Sequence, residues 1–128
     1  MRVIDFRVRP PVGGFEEATM YRMPDRTAKM GRGFGFATPS PTLSEPTTAV
    51  FEKELRESVI ELAIIPGRTG APNVGPTNDD ALVAYARTQP DRLCVFPAIE
   101  PDDPGWKSNA ERLLGKTGVR GSRWNRGF

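Results

Sequence analysis

Hydrophobic and polar positions alternate strictly along Arg2-Val3-Ile4-Asp5-Phe6-Arg7-Val8-Arg9, with Ile4, Phe6 and Val8 on one side and Asp5, Arg7 and Arg9 on the other. Period two with β-branched and aromatic residues predicts a strand. Pro10 and Pro11 end it, because neither can donate to a ladder. The strand carries an acid and two arginines along one side. On a sheet edge such a face is solvated; inside a barrel it is a site. From Val12 to Leu43 no period holds. The stretch is rich in glycine, proline and threonine and contains Gly31-Arg32-Gly33-Phe34-Gly35-Phe36. It is predicted as a long irregular loop, and loops of that length in a compact domain are usually functional or disordered.

The helical period then takes over. Phe51, Leu55 and Val59 fall at i, i+4 and i+8, with Glu52, Lys53, Glu54 and Arg56 facing away. Ser44 is expected to cap this helix, with Pro46 in its first turn, and the helix to run to about Ser58. Leu62-Ala63-Ile64-Ile65, closed by Pro66-Gly67, is a continuous apolar run of the kind that marks a strand buried on both faces. Asn78 is expected to cap a second helix, with Asp79 and Asp80 in its first turn matching the helix dipole and Leu82, Tyr85 and Ala86 buried. Pro90 lies beyond its end. Leu93-Cys94-Val95-Phe96 is a third strand. Asp103 and Pro104 open a third helix, along which Trp106, Ala110, Leu113 and Leu114 share a face, and Gly115 and Gly118 close it. Val119 would begin a fourth strand.

The predicted order is β, long loop, α, β, α, β, α, β. Strands alternating with helices at this spacing point to βαβ units, parallel strands and right-handed crossovers. Two closures fit: an open doubly wound sheet, or the start of an eightfold barrel. Open sheets commonly carry a glycine fingerprint after the first strand, where two prolines stand here. A whole barrel needs roughly 250 residues, so 128 residues would supply about half of one.

Composition sharpens this. There is no histidine, the commonest metal ligand and the usual general base near neutral pH. Cys94 is the single cysteine, so no disulfide can form within the chain. Together these exclude the usual zinc sites and Ser-His-Asp or Cys-His catalysis from these residues. A reduced thiol in an apolar run suits a cytoplasmic protein. No apolar run approaches the roughly 20 residues of a membrane span, and the N-terminus reads as a strand rather than a signal peptide. The net charge of +2 favours no particular partner. Gly70 to Thr77 has the glycine spacing of a phosphate loop, but Pro76 stands where the lysine is needed. Arginines near Phe34 and Phe36 could bind single-stranded nucleic acid, which is the weakest of the readings.

Taken in order, these segments resemble the first half of an amidohydrolase-related barrel, of the branch that includes the aminocarboxymuconate-semialdehyde decarboxylase-like enzymes. Asp5-Phe6-Arg7-Val8-Arg9 aligns with that family's first-strand Asp-x-His-x-His. Ile60 to Arg68 resembles its second strand. Asn78-Asp79-Asp80, Pro90-Asp91-Arg92 and Ala98-Ile99-Glu100-Pro101 resemble its next helix and third strand, and Gly118-Val119-Arg120-Gly121 the opening of its fourth. The resemblance covers Val3 to Gly121. It implies an α/β fold, a partial (β/α)8 TIM barrel of three to four βα units. It also implies a parent hydrolase or decarboxylase acting on a small carboxylate-bearing substrate with a divalent metal such as zinc.

The departure lies at the chemistry. The two metal-binding histidines are Arg7 and Arg9, and a guanidinium has no lone pair to give. No cofactor is therefore expected in this chain, and its catalytic residues stay unassigned. Arg7, Arg9 and Arg68 are expected at the carboxyl ends of strands one and two, where barrels keep their sites, to hold a small anionic substrate bidentately. The other reading from these residues is a non-catalytic anion-binding module.

The tail from residue 122 to 128 is basic and breaks the apolar pattern of a buried strand. One codon choice for it reads Ala-Leu-Glu-Pro-Gly-Phe in a shifted frame, closer to a barrel strand and its loop. The chain is thus expected to be an N-terminal piece of a longer enzyme, inactive by itself. The alternative is a short protein that completes its sheet by self-association through open edges.

Overall fold

A computed structural model describes residues 2–70, 75–116, 118–120 and 123–124. Its centre is a parallel sheet in the order β1 (Val3–Asp5), β2 (Ile60–Pro66), β3 (Leu93–Phe96). Asp5 pairs with Ala63, Ala63 with Leu93 and Ile65 with Val95. The third pass continues beyond Pro97 as β4 (Ala98–Ile99), which pairs in parallel with β5 (Arg123–Trp124). Val119 bridges to Val95, whose N–H donates to the Gly118 carbonyl at 2.9 Å. Val119 therefore opens the fourth strand as expected. Backbone pairing also carries on to Trp124, past the expected boundary after residue 121. Gly121, Ser122 and the rest of the tail, 125–128, lie outside the described residues, as do the side chains of Arg123 and Trp124.

Six helices connect the described strands: α1 (Thr19–Arg22), α2 (Pro24–Gly33), α3 (Pro41–Ser44), α4 (Thr48–Glu57), α5 (Asp79–Ala86) and α6 (Trp106–Leu114). In a parallel pair, partnered residues point to the same side. Asp5, Ala63, Ile65, Leu93 and Val95 therefore share one face. Their apolar members pack with Leu55 of α4 and with Leu82, Val83 and Ala86 of α5 in one core. The opposite face carries Ile4, Leu62, Ile64 and Cys94.

Two helix starts differ from expectation, those of α4 and α6. Ser44 does not cap α4; it ends the short α3. Pro46 holds the residue before it, Glu45, out of the helical region (φ −129°, ψ 86°), so a helix cannot run through. Thr47 caps instead, its side chain accepting the Val50 N–H at 3.3 Å. The helix also stops at Glu57, so Val59 never joins the apolar stripe and is 79% exposed. Asn78 caps α5 as expected, accepting the Ala81 N–H at 3.0 Å. Asp103 does not cap α6 directly: Gly105 is its N-cap, and Asp103 Oδ1, two residues upstream, accepts the Gly105 N–H.

The stretch from 12 to 43 is not irregular. It holds a 3-10 turn at Phe15–Glu17 and then α1, α2 and most of α3. Gly13 and Gly14 turn the chain with φ of 65° and 95°, and a side chain on Gly13 would come within 2.7 Å of Leu82. Phe15, Tyr21 and Leu43 reach the core, one residue per turn or short helix. A period needs several such residues on one element, so periodicity could not reveal these. α2 buries no residue at all. Pro24 at its first position, Asp25 in its first turn and Arg32 in its last suit the helix ends instead.

The first strand is shorter than the alternation implied. β1 spans Val3–Asp5, and the register shifts between Val3 and Ile4. Beyond Asp5, Val8 returns to the ladder, donating to the Ile64 carbonyl at 3.1 Å. Val8 joins the helix-covered core, while Ile4 and Phe6 are exposed by 44% and 64%. The three residues predicted to share a face are thus divided.

Candidate functional site

Parallel barrels build their sites on the loops after each strand. Two hollows bear on the predicted arginines. The first, about 330 Å³, lies on the α4 side of the sheet: it is lined by Asp5 of β1, Arg7 and Arg9 beyond it, Tyr21 of α1, Thr42 of α3 and Glu54 of α4, and reaches Ile60 at the amino end of β2. Glu54 Oε2 accepts the Ser40 hydroxyl at 2.8 Å, the Thr42 N–H at 2.9 Å and the Thr42 hydroxyl. It ties α4 to α3. Glu54 therefore does not face away as the periodicity suggested: it stands at i+3 from Phe51, beside Leu55. The Tyr21 hydroxyl donates to the Arg9 carbonyl. Burial, and then the charge of Glu54, pushes the Tyr21 hydroxyl up to about 12, against the pull of Arg9. The Arg7 N–H is held by Asp5 Oδ1 at 2.8 Å while its side chain is exposed.

The second hollow, about 290 Å³, lies beyond β2 and β4 and includes Arg68, Thr77, Asp79, Glu100, Asp103 and Trp106. Arg68 donates through Nη2 to the Gly75 carbonyl at 3.0 Å, and its guanidinium lies 5.6 Å from the centre of the Phe15 ring. Thr77 Oγ1 accepts the Arg68 N–H at 2.7 Å and lies 2.9 Å from Asp79 Oδ1, to which it donates. Asp79 Oδ2 accepts the Ala98 N–H at 2.9 Å. One carboxylate thus joins the start of α5 to the end of the third strand. Gly67 makes this approach possible, since a Cβ there would stand 2.5 Å from both Ala98 N and Asp79 Oδ1. Burial raises the Asp79 carboxyl above its usual range, opposed by the hydrogen bonds from Thr77 and Ala98. Its neighbour Asp80 behaves oppositely. It sits outside, bound by Lys116 and then Arg112, and these hold its carboxyl below the usual range.

Arg7 and Arg9 are therefore brought together, and Arg68 lines a different hollow. Sequence reasoning gave Tyr21 no role, placed Glu54 on the solvated side of its helix and read Asp79 only as a match to the helix dipole. The signal for Asp79 was Thr77-Asn78-Asp79 following a strand that ends in Pro66-Gly67, but the contact depends on Ala98, which is distant in sequence. The donor chemistry at Arg7 and Arg9 does not fit a metal ion: both side chains are cationic and neither offers a lone pair. Among the described residues, no group of three His, Cys, Asp or Glu side chains could hold a metal ion, and no helix is long and apolar enough to cross a membrane.

The solved structure of an uncharacterized TIM-barrel protein from Bordetella bronchiseptica is similar to this chain, with a TM-score of 0.72 and 27% sequence identity. The match covers 93% of this chain and 42% of that one, so the chain spans less than half of that barrel's length. No family model and no curated protein matches the chain. The parallel register and this likeness define an α/β chain with the fold of part of a TIM barrel.

Proposed function

We propose that these strands belong to an amidohydrolase-related barrel whose first metal-binding pair has become an arginine pair. In this reading the complete barrel hydrolyses or decarboxylates a small carboxylate-bearing substrate. The 128-residue chain binds the anionic group without turning it over. The observation that carries this is the placement of Arg7 and Arg9. They follow on the carboxyl end of β1, where the related motif holds its metal, and they line one hollow together with Tyr21 and Glu54. Two adjacent guanidiniums suit a carboxylate, which they can grip through paired N–H donors. Arg68 stands beyond the next strand and would meet a second anionic group of a longer substrate.

The absence of histidine from the sequence supports the same division of labour: binding groups are present, and the usual general base at neutral pH is not. Calorimetric titration with malonate tests the reading, with the uncharged malonamide as control. Malonate alone is expected to bind. Arg7→Ala and Arg9→Ala are each expected to weaken it about tenfold or more, by the worth of a charge-assisted hydrogen bond. Arg68→Ala should weaken it less. Equal binding by all three variants and the parent chain would overturn the assignment.

A further inference from the structure

α2 buries no residue, while α4, α5 and α6 each bury at least one. Its apolar positions nonetheless share a side. Met23, Thr27, Met30 and Phe34 fall at i, i+4, i+7 and i+11, one helical stripe. The Thr27 hydroxyl donates to the Met23 carbonyl at 3.2 Å, so its polar atom is already engaged. A Schellman turn closes the helix: Gly35 adopts φ 89°, its N–H donates to the Arg32 carbonyl, and the Phe36 N–H donates to the Gly31 carbonyl at 3.0 Å. The turn brings Phe36 back to the stripe. Thr27, Met30, Phe34, Phe36, Pro39 and Leu43 line a hollow of about 480 Å³. Met23, Met30, Phe34 and Phe36 are exposed by 50%, 57%, 78% and 67%.

The cations of α2 stand apart from this hollow. Arg26, Lys29 and Arg32 are exposed and none of them lines it, and Asp25 is the single acid of the helix. Arg22, just before α2, is paired with Glu17 at 3.7 Å.

We propose that this face of α2 lies on an anionic lipid bilayer. Met30, Phe34 and Phe36 enter the boundary between headgroups and acyl chains, and the negative surface draws in Arg26, Lys29 and Arg32. Helices that lie in a membrane interface have this division, with cations on one face and phenylalanine and its like on the other. The long stems of arginine and lysine let their charged ends reach the headgroups. Such a helix need not span, and none here is long and apolar enough to do so among the described residues. Two other occupants fit less well. Single-stranded nucleic acid stacks its bases on aromatics beside the cations that track its phosphates, whereas here cations and phenylalanines are separated. A second copy of the chain would set Arg26, Lys29 and Arg32 against their own kind. The inference is independent of the arginine reading, because Phe34 and Phe36 line a different hollow from Arg7 and Arg9.

Sedimentation of the purified 128-residue chain with vesicles of phosphatidylserine and phosphatidylcholine in equal parts tests it, with pure phosphatidylcholine vesicles as control. Binding to the anionic vesicles is expected to be at least about tenfold tighter, as three cations near a negative surface imply, and to fade as salt rises. The double variant Phe34→Ser, Phe36→Ser should lose about tenfold or more on the anionic vesicles, as the lost burial of two phenylalanines implies. Its circular dichroism should be unchanged, since both side chains are exposed. Phe34→Trp adds a spectroscopic readout: lipids brominated on their acyl chains should quench its emission more than they quench the parent chain's. Equal binding to both kinds of vesicle, or to neither, would overturn the proposal. Unchanged binding by the double variant would also overturn it, since diffuse positive charge alone would then hold the vesicle. A single-stranded oligonucleotide bound more tightly than vesicles, and released by the double variant, would assign the face to nucleic acid instead. A two-chain particle in light scattering that the double variant reduces to one chain would assign it to a second copy.

Discussion

The block formed by β2, β3 and α5 and the segment from Thr19 to Ser44 are held by different forces. In the block, Ala63, Ile65, Leu82, Val83, Ala86, Leu93 and Val95 interlock with almost no exposure. In the segment, α2 buries nothing, and Phe34 and Phe36 are exposed by 78% and 67%. Its attachment comes from isolated apolar anchors and from one carboxylate, Glu54, that gathers Ser40 and Thr42. Burial of many apolar groups is cooperative and insensitive to small shifts. Attachment by a few polar contacts is local and easily opened, so the two regions should differ in stability.

A pair of truncations carries the largest expected difference between the two regions. Leu82→Ala removes a fully buried side chain from the centre of the block and should cost about 2–5 kcal/mol in urea unfolding. Phe34→Ala removes a larger side chain from the segment and should change stability by no more than about 0.5 kcal/mol. If the phenylalanine costs as much as the leucine, something covers the segment and the contrast fails.

Glu54→Gln comes next. The amide keeps the shape of the side chain and one acceptor oxygen, but removes the negative charge from the three hydrogen bonds that converge on Oε2. A loss of about 1–2 kcal/mol follows from turning charge-assisted hydrogen bonds into neutral ones. The loss should fall on the segment first. Limited proteolysis is expected to cut between Thr19 and Ser44 in this variant before β2, α5 or β3 opens. Simultaneous cleavage everywhere would show that the two regions unfold as one.

The same contrast decides what sequence could reveal. Leu62 to Ile65 and Leu93 to Phe96 were legible because each buried strand is a contiguous apolar run, and Asn78 because capping is a local interaction. Their parallel pairing followed from the alternation of strands and helices. The helices between residues 19 and 44 were not legible, since each sends at most one or two side chains inward. The site was legible in its residue types but not in its grouping. Arg7, Arg9 and Arg68 all lie past strand ends, yet only long-range geometry shows two hollows rather than one. Glu54 was misread because an acid beside an apolar stripe looks solvated until a partner such as Thr42 arrives from elsewhere in the chain.

The smallest expected effect concerns Asp79, the carboxylate that serves the block as Glu54 serves the segment. Burial raises its carboxyl from the ordinary 3.8, so folding favours the protonated form. The stabilisation linked to that proton is complete below pH 3.8 and is lost as pH rises through the higher folded value. Asp79→Asn removes the titration while keeping one acceptor for Ala98 N–H or the Thr77 hydroxyl. Urea midpoints of the two proteins, measured across a pH series, should therefore diverge in one direction: the parent chain gains on the variant as pH falls toward 3.8. Subtracting the two curves cancels the titration of every other carboxyl. A flat difference would mean that Asp79 is not desolvated at its contact with Ala98. A difference of opposite slope would mean that its two hydrogen bonds outweigh burial. Asp79 would then resemble a polar anchor of the Glu54 kind, and the block would depend on charged contacts more than its apolar packing implies.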